Sequence, residues 1–377
     1  MTDKIRIGII FGGRSGEHEV SARSARAVIE AIDHDKYEVV PMAIAKNGKW
    51  LPPAESSILF PKSTQKLLSD GGASVRETRA VALIGDPTYQ GLTLLGTINE
   101  NSQPLDVVFP VLHGTYGEDG TIQGLFEMAN IPYIGCGVLA SSCGMDKVTM
   151  KTLFRDAGLP MCKYVWFLRN DFEREPQRFL DLVKNGLGFP AFVKPANLGS
   201  SVGVSRATDE ESLRAAIELA ARYDRKIIIE EGVDGREIEV AVMGNDEPQA
   251  SLPGEYIIHD EAAKFLDYTE KYTGTGNNEF TVPAPLSSEL TEQIQQMSKI
   301  AFKAVDGSGL ARVDFFLTRG TGELLINEIN TLPGLTEVSG FPKMWAATGK
   351  PFAEVIDELV ALALARHADK ARNQTSI

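Results

Sequence analysis

Two carboxylates and an asparagine lie on a candidate β-hairpin. The segment ARVDFFL at 311–317 runs through TRGTG at 318–322 into ELLINEIN at 323–330. Strand residues two apart share a face, so Arg312, Asp314 and Phe316 point one way, as do Ile326, Glu328 and Asn330. A loop centred near Thr321 sets Asp314 opposite Glu328 and Arg312 opposite Asn330. Like charges directly opposed across a ladder are destabilising unless a cation lies between them. Oxygen donors of this kind suit Mg²⁺, with phosphate oxygens completing its shell. The neighbours are strongly apolar, which argues against a solvated face carrying a chance pair.

Four other segments could serve a phosphate-bearing ligand or its partner. KPANLGSSVG at 194–203 is rich in small residues that let backbone N–H groups approach phosphate oxygens, and Lys194 stands at its strand end. It lies between two strands, so it is neither a P-loop nor a dinucleotide fingerprint. Lys147 opens a candidate helix, where a cation beside free N–H groups makes an anion site. GGRSGEHE at 12–19 follows the first strand and could hold Glu17 or His18 over a substrate at the carboxyl end of a parallel sheet. The polar stretch KFLDYTEKYTGTGNNEF at 264–280 reads as a lid that excludes water from a reactive intermediate.

The elements that must position these residues form an α/β pattern. Strands at 5–11, 37–44 and 106–112, with helical apolar spacing at Ala25, Val28, Ile29 and Ile32 and again at Ile122, Leu125, Phe126 and Ala129, imply a mainly parallel sheet. Residues 46–104 read as irregular. Asp146 is a candidate N-cap for a helix over 147–157, stopped by Gly158 and Pro160. Strands at 189–195 and 202–206 flank the glycine loop, and Thr208 with Glu211 is a candidate capping box for the next helix. A strand at 226–230 closes this part. A strand near 237–243, a helix after Ser288, the hairpin and a final helix over 351–372 follow. The expected division is an N-terminal unit at 1–135, a central unit at 136–230 and a C-terminal unit at 231–377.

Bulk properties narrow the class. The chain has 377 residues, 43% of them hydrophobic, and no apolar run long enough to cross a membrane. A net charge of −13 without a basic stripe argues against nucleic acid as a partner. An acidic protein that binds an anion must gather a few Lys and Arg side chains in one cleft. Cys136, Cys143 and Cys162 match no zinc spacing and read as thiols in a reducing compartment. The start of the chain reads as a strand rather than a signal peptide.

In combination and order, GGRSGEHEVS, HGTYGEDGTIQG, MDK, VKPANLGSSVGV, DYTEKY, ARVDFF and NEINTLPGLT resemble the D-alanine–D-alanine ligases over nearly the whole chain. The resemblance implies a three-domain ATP-grasp ligase with a Rossmann-like N-terminal domain, cytoplasmic and homodimeric. It implies ATP as co-substrate, with Lys147, Lys194 and Lys271 on its phosphates and Ser201 in the covering loop. Glu230, Glu231 and Val233 would follow the adenine edge, and Glu237 would meet the ribose. Asp314, Glu328 and Asn330 would carry two Mg²⁺ (or Mn²⁺) ions. Glu17 would hold the first D-alanine, with Ser200 and Tyr272 linking it to the lid. Arg312 and the Gly334 N–H would stabilise the oxyanion, and Ser339 would receive the second carboxylate. Lys271-Tyr272 is the dipeptide-type lid, where relatives making D-alanyl-D-lactate carry a histidine. Leu266 departs from a frequent tyrosine, and Gly144 from a larger residue, with little effect expected from the latter. The competing readings are a ligase for D-lactate or D-serine and a non-catalytic nucleotide-binding regulator. A nicotinamide enzyme would need GxGxxG after the first strand, which is absent.

Overall fold

The computed structural model describes residues 4–71, 81–89, 91–94, 102–199, 202–258 and 278–374. The N-terminal sheet is parallel, in the order Tyr37–Ile44, Ile5–Gly12, Val107–Val111. Its central strand, IRIGIIFG, is buried along almost its whole length, as expected of a strand covered on both faces. At its end Gly12 has φ +89°, and a Cβ there would come 2.4 Å from the Ile44 carbonyl oxygen. Only glycine lets the chain turn here into the helix His18–Ala31.

Residues 46–104 depart from the irregular expectation. Helices Pro53–Ile58 and Lys62–Asp70 occupy the first part, and the strands Val81–Leu83, Gly91–Leu94 and Ser102–Pro104 form a small antiparallel sheet. Three of its prolines stand at helix starts: Pro52 and Pro53 open the first helix, and Pro61 is the N-cap of the second. A proline there forfeits only an N–H that has no partner in the helix.

The central sheet is antiparallel, ordered Tyr164–Leu168, Lys226–Glu231, Ala191–Pro195, Ser205–Ala207. Helices Pro176–Gly186 and Glu210–Tyr223 cover it with Leu180, Val183, Leu213 and Ile217. The capping box of the latter helix is one residue on from the expected pair. Asp209 accepts from Ser212 N at 2.8 Å, and Asp209 N donates to Ser212 Oγ at 3.1 Å. Aspartate is the stronger cap, and its side chain displaces Thr208 from the role.

The C-terminal sheet runs Asn278–Thr281, Gly254–Ile258, Gly235–Gly244, Gly309–Thr318, Leu324–Asn330, with Gln249–Ala250 paired to Gly235–Gly244. Helix Ser288–Ala304 packs Ile294, Met297 and Phe302 on one of its faces. Cys136, Ala140, Met150, Phe154 and Leu159, counted with the central unit in the sequence, join that same core. The last helix, Phe352–Lys370, turns Val355, Ile356 and Leu359 into the core of the N-terminal sheet beside Ile7, Ile9 and Val28. Each such side chain contributes about 1.5–3 kcal/mol by leaving water. Arg366 on this helix donates to Tyr133 O at 2.9 Å and also to Gly135 O and Ser308 Oγ, tying the end of the N-terminal part to the C-terminal sheet. No helix among the described residues is long and apolar enough to cross a membrane.

Candidate active site

The hairpin Gly309–Thr318 with Leu324–Asn330 has the expected register, with Asp314 opposite Glu328 and Arg312 opposite Asn330. Beyond Asp314 the register shifts: Phe315 pairs with Ile326, and Asn327 is left as a bulge. Phe316 therefore faces Leu325, and the simple alternation read from the sequence ends at this point. Bulges re-aim neighbouring side chains and are frequent beside active sites. Arg312 donates twice to Asp314, at 2.7 Å and 2.7 Å, and lies 3.4 Å from Glu239 on the adjoining strand. Burial works against the guanidinium charge, but the charges of Asp314 and Glu239 outweigh it and hold Arg312 firmly protonated. Asn330 Oδ1 accepts from Leu332 N at 3.0 Å, fixing the direction of its amide.

Asp314, Glu328 and Asn330 form an all-oxygen donor set on two adjacent strands, the chemistry that a hard divalent cation demands. Two carboxylates face each other there, with Lys147 Nζ 3.8 Å from Glu328. The residues therefore fit a divalent metal. Among the described residues no group of three or more His, Cys, Asp and Glu gathers as a metal site. The donor set is two carboxylates and an amide.

Lys147 is the first residue of the helix Lys147–Asp156, which Asp146 caps by accepting from Val148 N at 3.1 Å and Thr149 N at 3.0 Å. Asp146 is itself paired with Lys226. Lys147 Nζ donates to Leu198 O at 2.7 Å, so this side chain spans from the glycine loop to the hairpin. Lys194 meets Glu230 at 2.6 Å, and a third group, Lys151, lies 2.9 Å from the other oxygen of Glu230. Burial pushes the Glu230 carboxyl up, but Lys151 and Lys194 more than offset this and bring it down to about 2. Glu231 accepts from Lys163 N at 2.7 Å, Val233 lies in the short connection to the strand Gly235–Gly244, and Glu237 stands opposite Phe316.

A cleft gathers Glu17, Lys147, Arg312, Glu328, Asn330, Gly334 and Ser339. Lys194, Glu230, Glu231, Val233, Glu237 and Asp314 are not among the residues that line it. Ser200, Ser201, Lys271 and Tyr272 lie outside the described residues, as does Leu266. Glu17 is the cap residue of His18–Ala31, and its N–H donates to Ser15 Oγ at 3.2 Å. Ser339 precedes Gly340–Ala347 and is fixed by Thr336, whose N–H donates to Ser339 Oγ at 3.1 Å. Gly144 lines the cleft tightly: a Cβ there would come 2.8 Å from the Thr331 methyl, so a larger residue would require Thr331 to shift.

Several cleft residues escaped the sequence reading as individual side chains. His113 is buried, with Nε2 3.0 Å from Ser24 Oγ, Nδ1 3.2 Å from Leu332 O and Glu118 at 3.5 Å. Burial opposes its charge, but the hydrogen bond and charge of Glu118, with the charge of Glu17, hold its pKa above the usual histidine range. His113 and Glu118 belong to HGTYGEDGTIQG, so the segment was visible and the roles were not. Glu239 and Tyr256 also line the cleft and carried no signal beyond strand alternation.

Family profiles described as D-ala D-ala ligase N-terminus and D-ala D-ala ligase C-terminus match residues 6–136 and 153–361. The D-alanine–D-alanine ligase of Heliobacterium modesticaldum is 48% identical over 372 residues, covering 99% of this chain and 98% of its own. The solved D-alanine–D-alanine ligase of Coxiella burnetii matches with a TM-score of 0.81 at 35% identity, over 98% of this chain and 97% of that one. The VanG D-Ala:D-Ser ligase of Enterococcus faecalis also reaches 0.81 at 35% identity, over 96% of this chain and 100% of that one. With both halves matched and the likeness running the full length, the chain belongs to the D-alanine–D-alanine ligase family, ATP-dependent ligases of the ATP-grasp fold.

Proposed function

We propose that this chain joins two D-alanine molecules into D-alanyl-D-alanine for peptidoglycan precursor synthesis, in the cytoplasm and as a homodimer. The observation that carries the reading is one cleft bringing a carboxylate at a helix start, Glu17, together with Lys147, Arg312, Glu328 and Asn330. We read the chain as three functional units, 1–135, 136–230 and 231–377, with ATP between the second and third.

A carboxylate oxygen of the first D-alanine attacks the γ-phosphorus of ATP. The bond to the β-phosphate oxygen breaks, ADP leaves and D-alanyl phosphate remains. Asp314, Glu328 and Asn330 would hold two Mg²⁺ or Mn²⁺ ions, whose charge would offset that building on the phosphoryl oxygens. Lys147, Lys194 and Lys271 would add positive charge there, and Ser201 would cover the phosphates. Glu230, Glu231 and Val233 would border the adenine, and Glu237 the ribose.

The amine of the second D-alanine then attacks the acyl carbon. It gives up a proton, the carbon–oxygen bond to phosphate breaks, and inorganic phosphate leaves. Arg312 and the Gly334 N–H would stabilise the tetrahedral oxyanion. Arg312 suits this role because two buried carboxylates keep it charged and fixed in direction. Glu17 would hold the first ammonium, linked through Ser200 and Tyr272 to the lid. Ser339 and the start of the following helix would receive the second carboxylate, an anion at a helix N-terminus.

The second substrate is tested by competition. With ATP, Mg²⁺, D-alanine and an equal concentration of D-lactate or D-serine at neutral pH, D-alanyl-D-alanine should dominate the products. Dominance of D-alanyl-D-lactate or D-alanyl-D-serine would overturn that assignment.

A further inference from the structure

Lys151 has no part in the reading above, yet it is among the most buried charged residues described, with its side chain 1% exposed. It stands one turn after Lys147, on the face of the helix that also buries Met150 and Phe154. A buried ammonium is costly unless its charge is matched. Here Nζ lies 2.9 Å from Glu230 Oε1, 3.4 Å from Asn327 O and 3.8 Å from Cys162 Sγ. The approach to Oε1 is a close ion pair, in which Lys151 acts on Glu230 chiefly through its charge.

One carboxylate between two ammoniums leaves a net positive charge. Glu230 Oε2 takes Lys194 at 2.6 Å, and without Lys151 these two would cancel. The strand end would then offer a phosphate little net attraction. Lys151 also donates to the carbonyl of Asn327, the bulge residue beside Glu328. One ammonium thus reaches both the lysine strand and the hairpin.

We infer that Lys151 is a positioning residue for the nucleotide: it offsets Glu230 so that Lys194 keeps net positive charge, and it anchors the bulge that presents Glu328. This rests on the reading of Lys194 as a phosphate ligand.

The test is ATP affinity by calorimetry, with Mg²⁺ and without an amino acid. Lys151→Met keeps length and apolar fit and should weaken ATP about tenfold, as expected for losing one nearby charge. Its KM for D-alanine should stay unchanged. Lys151→Arg should keep most of the affinity. The double variant Lys151→Met with Glu230→Gln leaves Lys194 its charge without the carboxylate now 2.6 Å away, so thermal melting checks its fold, and it should bind ATP more tightly than Lys151→Met alone. Wild-type affinity in Lys151→Met, or a folded double variant no tighter than the single one, would overturn the inference. If the wild-type protein binds ATP but does not ligate D-alanine, the ligase reading falls, while the affinity comparison still decides the role of Lys151.

Discussion

The two ends of the cleft are built on different principles. At the hairpin end the charged groups leave strands, or a helix packed on them, and meet opposite charges: Arg312 with Asp314 and Glu239, Lys147 with Glu328 and, outside the lining residues, Lys194 with Glu230. At the other end Glu17 and Ser339 stand at helix starts and Gly334 in the segment between the hairpin and the helix Gly340–Ala347, and backbone and hydroxyl hydrogen bonds hold Glu17 and Ser339. A ladder fixes the relative position of residues far apart in sequence, and buried pairs penalise the loss of either partner. Turns and caps fix position locally, through hydrogen bonds between residues close in sequence. The first construction suits metal and phosphate, whose charge must be met in one place. The second suits two small zwitterions that must be oriented one after the other.

Breaking the hairpin end should have the larger effect. Asp314→Ala should abolish ATP turnover while the protein stays folded, because Glu239 remains 3.4 Å from Arg312 as a partner. Steady-state ADP release and thermal melting check the two halves of this statement, and normal turnover would refute the metal assignment. At the turn-built end Glu17→Gln should raise KM for D-alanine by roughly tenfold to a hundredfold, the loss of a charged hydrogen bond at ~1.5–3 kcal/mol. ATP affinity should not move. An equal loss in ATP affinity would mean that the two ends are not separable in this way.

The same contrast explains what could be read in advance. The register of Asp314 against Glu328 was legible because two strands of opposite direction around one short loop leave few pairings. The bulge at Asn327 was not, since one extra residue in a strand leaves no distinct mark in a mostly apolar run. Asp146 as a cap was legible from local chemistry, and the shift from Thr208 to Asp209 shows how narrowly neighbouring caps compete. The helices within residues 46–104 were not legible, because Pro52, Pro53 and Pro61 sit at their first positions, where proline is as compatible with a helix start as with a loop. Lys151 was invisible because a lysine on a helix ordinarily faces water, and its partners, Glu230 and the Asn327 carbonyl, lie on strands distant in sequence. The glycine loop at Ser200 and Ser201 and the lid at Lys271 and Tyr272 stand on resemblance, since both lie outside the described residues.

The most direct test of the account is ADP release with ATP and Mg²⁺ in the presence of D-alanine, beside an identical reaction with L-alanine. The account predicts release that depends on D-alanine, accompanied by equal inorganic phosphate and D-alanyl-D-alanine, and none with L-alanine. Equal release with both enantiomers, or none with either from a protein that binds ATP, would contradict it.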